Sequence, residues 1–217
     1  MNMPFNKTKY KNIIQFIEKY SKKPTKIIAV SKNHPISSVK EALEFGLRLF
    51  GENRVQEALS KYTSLKQIYS DIELHLTGPL QTNKVKQAIS IFDVFQTLDR
   101  EKLAREFCKH SDLIENKSFY IQLNIGNEDT KSGIIVSEAN NFIDYCKNDL
   151  QMNIVGLMCI PPIKENPSEY FMLLNEIANN NNLKKLSMGM SADYEMAIRC
   201  GATHIRVGTS LFGSRDI

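Results

Sequence analysis

The sequence predicts an α/β protein of one domain, closed into a (β/α)8 TIM-type barrel with an additional N-terminal helix, and three observations carry the prediction. Eight short apolar runs fall at 26–32, 47–51, 73–77, 94–98, 118–125, 153–160, 184–188 and 204–208. Segments with helical spacing of apolar residues separate them, such as Val39, Ala42, Leu43 and Leu47, or Phe142, Ile143 and Cys146. The polar and glycine-bearing motifs gather at the carboxyl ends of the runs, the face on which such barrels carry chemistry. Strict alternation implies parallel strands with right-handed crossovers, and eight of them favour closure over an open doubly wound sheet, which is the structural alternative.

Before the first run, residues 7 to 22 carry Ile13, Ile14, Phe16, Ile17 and Tyr20 as an apolar set on a helix-length segment. The chain stops at Ile217, soon after the eighth run, which leaves no room for a full final helix. The helix within 1–22 is therefore expected to cover the barrel where the last one would lie, in a domain spanning 1–217. The first strand, Lys26-Ile-Ile-Ala-Val-Ser-Lys32, ends on an amine and turns at Asn33-His-Pro35. Pointing into the barrel mouth, Lys32 is a candidate Schiff-base former. The second strand ends in Phe50-Gly-Glu-Asn53 and the third in His75-Leu-Thr-Gly78. Asp99-Arg100 after the fourth has the form of a helix start capped by Asp99. The fifth ends in Gln122-Leu-Asn124, and the sixth reaches Met158-Cys-Ile-Pro-Pro162. The seventh and eighth close on Ser187-Met-Gly-Met-Ser191 and Arg206-Val-Gly-Thr-Ser210.

Composition narrows the class. A chain of 217 residues, 42% hydrophobic and 24% charged, buries a large core as one domain, and 10 Gly with 7 Pro leave little room for a disordered linker. The net charge of +4 is spread along the chain and offset locally, so no nucleic-acid partner is expected. Cys108, Cys146, Cys159 and Cys200 form no CxxC or Cys/His cluster, so neither a metal site nor a disulfide framework is signalled. The amino terminus lacks a basic start followed by an apolar stretch, and no run approaches the roughly 18 apolar residues of a membrane span. A cytoplasmic protein is expected.

The last two motifs are the most informative for chemistry. Small residues after the seventh and eighth strands let backbone amides approach an anion, and a helix starting near Ser191 would add its positive end. Ser191 taken alone suits ordinary N-capping equally well. Gly208 also fits a tight strand exit, and Thr209 a solvent-exposed hydroxyl. Their joint position after strands seven and eight favours a phosphate site. A strand-end lysine is ordinarily solvated; a reactive one needs its pKa lowered from about 10.4 by burial or by a neighbouring cation. Arg206 is the candidate neighbour, unless it is ion-paired with Asp216 or Glu195. Asn53 fits a turn, His75 a satisfied core histidine, and Met158 with its prolines a packed, rigid loop. None is given a catalytic role.

A family resemblance rests on these same segments: Ala29-Val-Ser-Lys32, Phe50-Gly-Glu-Asn-Arg-Val-Gln-Glu57, His75-Leu-Thr-Gly-Pro-Leu-Gln-Thr-Asn-Lys84, Lys131-Ser-Gly133, Gly156-Leu-Met-Cys-Ile-Pro-Pro162, Leu186-Ser-Met-Gly-Met-Ser191 and Arg206-Val-Gly-Thr-Ser-Leu-Phe-Gly-Ser-Arg215. Together they resemble the pyridoxal phosphate homeostasis proteins, single-domain relatives of the amino-terminal barrel of alanine racemase. The resemblance implies that Lys32 forms an imine with pyridoxal 5'-phosphate. It implies Ser187, Ser191, Gly208 and Thr209 around the phosphate, Arg206 facing the pyridine nitrogen, and Asn53 beside the ring. Thr77, Thr82 and Ile217 depart from the family pattern, outside that set.

Two functions of different class follow from the resemblance. A racemase needs a second base besides the lysine; in the racemases it comes from a carboxyl-terminal domain and a partner subunit, and this chain ends where that domain would begin. A monomeric cofactor holder is therefore expected, one that maintains vitamin B6 homeostasis and releases the cofactor to apo forms of pyridoxal-phosphate enzymes. An amino-acid racemase or other weak pyridoxal-phosphate-dependent enzyme is the alternative. Apart from the resemblance, an aldolase-like barrel enzyme acting on a phosphosugar would use the same lysine and loops.

Overall fold

The alternation of apolar strand and amphipathic helix closes into a ring in the structure, a computed structural model that describes residues 5–213. Its strands are β1 (Lys26–Val30), β2 (Leu49–Glu52), β3 (Glu73–Leu76), β4 (Val94–Leu98), β5 (Ser118–Asn124), β6 (Ile134–Ile135), β7 (Ile154–Cys159), β8 (Lys185–Ser187) and β9 (His204–Val207). All but β6 form the barrel: neighbours pair in parallel from β1 through β5, then β7, β8 and β9, and β9 pairs back with β1. The two-residue β6, absent from the sequence expectation, hydrogen-bonds to the end of β5 outside the ring. The first strand ends at Val30, two residues before Lys32, because the chain turns through Asn33 at φ 61°.

The helices are α1 (Lys7–Tyr20), α2 (Ile36–Glu44), α3 (Val55–Ile68), α4 (Val85–Ile89), α5 (Glu101–Cys108), α6 (Ser111–Ile114), α7 (Ala139–Asp144), α8 (Pro167–Asn180), α9 (Tyr194–Arg199) and the single turn α10 (Thr209–Phe212). α1 begins at the Asn6 side chain, which accepts from the Lys9 amide at 2.9 Å, and it buries Ile13 and Ile17 one turn apart. Aromatic contacts fix it on both sides. The Arg199 guanidinium lies 3.9 Å from the Tyr20 ring centre, while Tyr10 meets Phe45 edge-on at 5.8 Å. Phe5 packs on Phe212 at 5.8 Å, and the Asn6 amide donates to the Leu211 carbonyl. α1 thus lies between α9 and α2, over the seam where β9 returns to β1. Residues 1–4 of the expected covering segment, and Ser214, Arg215, Asp216 and Ile217, lie outside the described residues.

Strand register divides the side chains into two layers, because paired residues of neighbouring strands project to the same side. Ile28 pairs with Arg206, Val30 with Gly51, Gly51 with His75, His75 with Val94, Met158 with Ser187, and Ser187 with His204. These residues face the interior, where a small apolar cluster of Val94, Tyr120 and Met158 adjoins buried Gln96, Ser187 and Arg206. The large apolar cluster lies on the other side, between strands and helices. Phe95 stacks on Phe119 at 5.3 Å there, with Phe107 edge-on to both. Among the described residues, no helix is long and apolar enough to cross a membrane.

Two local expectations are corrected. The helix after β8 begins at Tyr194 and not near Ser191. Asp193 Oδ1 accepts from the Met190 amide at 2.6 Å, which makes a separate turn of the residues before it. Asp99 does not cap α5, which begins at Glu101; its carboxylate pairs instead with Arg100 at 2.5 Å.

Candidate functional site

Strand direction brings the carboxyl ends of the barrel strands to one mouth, and a cavity of about 270 Å³ opens there. Lys32 reaches it from the turn after β1, Asn53 from the end of β2, and Thr77 from the end of β3. Ile160 follows β7, and Met190, Ser191 and Ala192 follow β8. Arg206 of β9 and Gly208 with Thr209 at the start of α10 complete the wall. Six of the seven residues expected at a site, Lys32, Asn53, Ser191, Arg206, Gly208 and Thr209, therefore line one cavity. Lys32 and Asn53 are half-buried, and the Asn53 side-chain oxygen accepts from Thr77 at 2.9 Å.

The seventh, Ser187, sits elsewhere. It is fully buried and pairs in register with His204, two residues below Arg206, so it lies under the cavity and not in its wall. Its hydroxyl is already engaged, accepting from Arg206 Nη1 at 2.8 Å and donating to Gln96 Oε1 at 2.6 Å. A place beside a bound phosphate is therefore replaced by one beneath the guanidinium.

From Ser187 a chain of hydrogen bonds runs down through the barrel. Gln96 Nε2 donates to His75 Nδ1 at 2.8 Å, and His75 Nε2 donates to Glu73 Oε1 at 2.7 Å. The carboxylate end fixes every donor: Glu73 is held down to about 2 by that hydrogen bond, so it only accepts. Burial lowers the pKa of His75, so the ring is neutral with its proton on Nε2. Arg206 is the last donor of the series. Its Nη2 donates to the Cys159 carbonyl at 2.8 Å, so among the described residues both of its hydrogen-bond partners are neutral. Of the carboxylates considered as its ion partner, Glu195 instead accepts from Tyr194, and Asp216 lies outside the described residues. Burial pulls the Arg206 pKa down from its ordinary value, and an acceptor or anion entering the cavity would relieve that cost. The nearby Cys159 thiol is pushed up to about 12 by burial, which makes it inert as a nucleophile.

The wall that adjoins the exit of β1 depends on close backbone approach. Gly189 has φ +89°, and a Cβ there would lie 2.4 Å from that of Ala197. Only glycine permits the turn that presents Ser191. At Gly208 the backbone is in an ordinary region, but a Cβ would meet the Val30 carbonyl oxygen at 3.0 Å, so a side chain would crowd the exit of β1. The Ser191 hydroxyl lies 3.4 Å from the Ser210 amide, which joins the two turns. Hydroxyls, small residues, amides and an amine around one cavity, with a guanidinium below, suit a planar ligand with an aldehyde and an anionic group. A neighbouring cavity, also about 270 Å³, shares Asn53, Thr77 and Ile160 and extends toward Gln122 and Lys131, so the space is continuous across the mouth.

Sequence reasoning missed Thr77, Ile160 and Met190 in the wall and Gln96 beneath it. Parity along the strand carries the signal for Thr77, two residues beyond interior His75. For Gln96 it is one amide inside the run Val94-Phe-Gln-Thr-Leu98, all of it buried.

Comparisons with known proteins agree with the fold. A family model described as the alanine racemase N-terminal domain matches residues 7–216. A pyridoxal phosphate homeostasis protein of Aquifex aeolicus is 40% identical over 202 residues, 88% of this chain and 87% of that protein. A solved structure of PipY from Synechococcus elongatus without PLP is 32% identical, with a TM-score of 0.84, covering 94% of this chain and 98% of that one. A second structure of PipY, with PLP bound, is 31% identical with a TM-score of 0.82, at the same coverage.

Proposed function

Because the chain belongs to the pyridoxal phosphate homeostasis protein family, we propose that it binds pyridoxal 5'-phosphate in the cavity at the barrel mouth and holds it reversibly through Lys32. The observation that carries the reading is one cavity with Lys32 on one wall, Ser191 and Thr209 on another and Arg206 at its floor. The cofactor supplies an aldehyde that condenses reversibly with an amine, a ring nitrogen, and a phosphate dianion. Lys32 is the amine. The Ser191 and Thr209 hydroxyls and the close turn at Gly208 bind the phosphate, Asn53 lies beside the ring, and Arg206 faces the ring nitrogen. Ser187 serves from below by fixing the guanidinium.

Turnover is not part of the reading. Among the described residues that line the cavity, Lys32 is the one that carries an amine. Racemisation needs a second base on the opposite face. The protein is thus a cytoplasmic, monomeric holder that limits free pyridoxal phosphate and returns it to apoenzymes, with weak racemase chemistry as the alternative.

The test is borohydride trapping. Wild-type chain incubated with pyridoxal 5'-phosphate and reduced should carry the adduct on the peptide containing residue 32, and Lys32→Ala should carry none while keeping its circular dichroism. An undiminished adduct in that variant refutes Lys32. Exchange of the α-proton of amino acids in deuterated water, abolished in Lys32→Ala, would favour the racemase alternative.

A further inference from the structure

The segment Phe50-Gly-Glu-Asn-Arg-Val-Gln-Glu57 contributes Asn53 to the cavity, but its two carboxylates have no part there. Gly51 takes the interior position of β2, so Glu52 points outward, toward α3. Glu52 is fully buried against Lys61 of α3, whose side chain is also buried. The Lys61 ammonium lies 2.7 Å from Glu52 Oε1 and 2.8 Å from Glu57 Oε1. It also donates to two backbone carbonyls, Ser31 at 2.8 Å and His34 at 3.1 Å. Those carbonyls bracket Lys32.

The same turn is held at further points. The Asn33 amide donates to Glu57 Oε1 at 2.5 Å. The Ser31 hydroxyl donates to Glu52 Oε1 at 2.6 Å and accepts from the Tyr62 hydroxyl at 2.7 Å. Every group engages either the turn or the cation that grips it. As a stabilising device the arrangement is poor, because burying two charges costs most of what their attraction returns, and apolar replacements of buried pairs are often neutral. Among the described residues, Glu52 Oε2 is even buried without a hydrogen-bond partner. What the network does supply is a fixed backbone on either side of one residue.

We propose that Lys61, held by Glu52 and Glu57, is the positioning residue for Lys32: it ties both ends of the Ser31–His34 turn and so sets the height and direction at which the amine enters the cavity. This rests on the reading of Lys32 as the point of attachment. Lys61 touches no ligand and acts through the backbone alone. Loss of the grip frees the turn, and a misplacement of about 1 Å slows a positioned reaction by roughly 10²-fold.

The experiment compares wild type, Lys61→Arg, Lys61→Met and the pair Glu52→Gln with Lys61→Met, which leaves no buried unpaired carboxylate at residue 52 if the single variant fails to fold. Three quantities are read on the full chain: backbone hydrogen exchange of the 31–34 segment without ligand, the rate of borohydride-trapped adduct with pyridoxal 5'-phosphate, and the affinity for pyridoxine 5'-phosphate, which lacks the aldehyde. The folded neutral pair should exchange faster in 31–34 and form the adduct on the order of 10²-fold more slowly, with affinity for pyridoxine 5'-phosphate unchanged. Lys61→Arg should recover part of the rate. A folded pair that forms the adduct at the wild-type rate overturns the proposal, as does a parallel fall in rate and in analogue affinity, the mark of a structural role. Absence of a wild-type adduct on Lys32 sinks the parent reading and this proposal together, and is told apart by being seen before any variant is made.

Discussion

Replacing Gln96 with leucine shortens the side chain by one atom and removes both of its hydrogen bonds. Gln96 is fully buried, joined to Ser187 at 2.6 Å and to His75 at 2.8 Å. The variant leaves two buried groups without partners, the Ser187 hydroxyl proton and the His75 Nδ1 lone pair. At about 1–3 kcal/mol for each orphaned group, the loss is roughly 2–6 kcal/mol, less the apolar gain of the leucine. A chain of this size loses about 2–4 °C of Tm per kcal/mol, so the midpoint should fall by roughly 5–20 °C. Thermal unfolding followed by circular dichroism at neutral pH measures it. Ser187→Ala removes one of the orphaned groups, so the double variant should cost less than the sum by about 0.5–3 kcal/mol. A Tm within experimental error of wild type, or strictly additive effects, would refute the hydrogen-bond series as drawn.

Three further outcomes follow from the same structure. Burial depresses the pKa of His204 to about 3; the unfolded chain takes up that proton near pH 6.5, so stability on the order of 4 kcal/mol is present above 6.5 and lost as pH falls toward 3. Glu73, depressed to about 2, adds a loss in the same direction between pH 4.5 and 2, and a His204→Gln chain should show a flatter Tm-against-pH slope between 6.5 and 3; an unchanged slope contradicts the assignment. Gly189→Ala combines about 1–2 kcal/mol of left-handed strain with about 1–3 kcal/mol of overpacking against Ala197, measurable by urea unfolding, and a neutral result would disprove the tight turn. Ile13→Ala, at a fully buried position of α1, should cost about 2–5 kcal/mol in the same assay and expose α1 to proteolysis; a loss under 1 kcal/mol would mean that α1 is not part of the core.

Most of the architecture was legible because parallel barrel strands are buried on both faces, so each shows as an apolar run. Of the eight runs at 26–32 through 204–208, seven contain a barrel strand whole, and 47–51 overlaps β2, which ends one residue beyond it. Their ends were less legible: a run does not record where the ladder stops, and the left-handed turn at Asn33 ends β1 before Lys32. β6 was invisible, since two residues hold no period. In the site, residue type and strand order brought six residues to one cavity, whereas Ser187 needed depth as well as side, which only register supplies. Asp193, not Ser191, organises the turn before α9, because an aspartate and a serine two residues apart satisfy the same capping rule. Lys61 left no trace in the sequence. A lysine on a helix is ordinarily solvated, even with a carboxylate one turn away as Glu57 is here, and what engages this one in the interior is Glu52 of β2 and two carbonyls of the turn after β1.

The pairing of β1 with β9 has a consequence for how the protein is made. Ile28 and Arg206 are neighbours in the sheet, yet nearly the whole chain separates them. A ribosome delivers Lys32 first, and Arg206, Gly208 and Thr209 follow some 174 residues or more later. Until β9 docks, the amine has neither the floor of its cavity nor the wall beside it. Contacts so distant in sequence form late, since loop closure must precede them. A ligand that binds only the closed ring then pulls the equilibrium toward closure by mass action. For a newly made chain, taking up such a ligand would therefore favour the finished barrel.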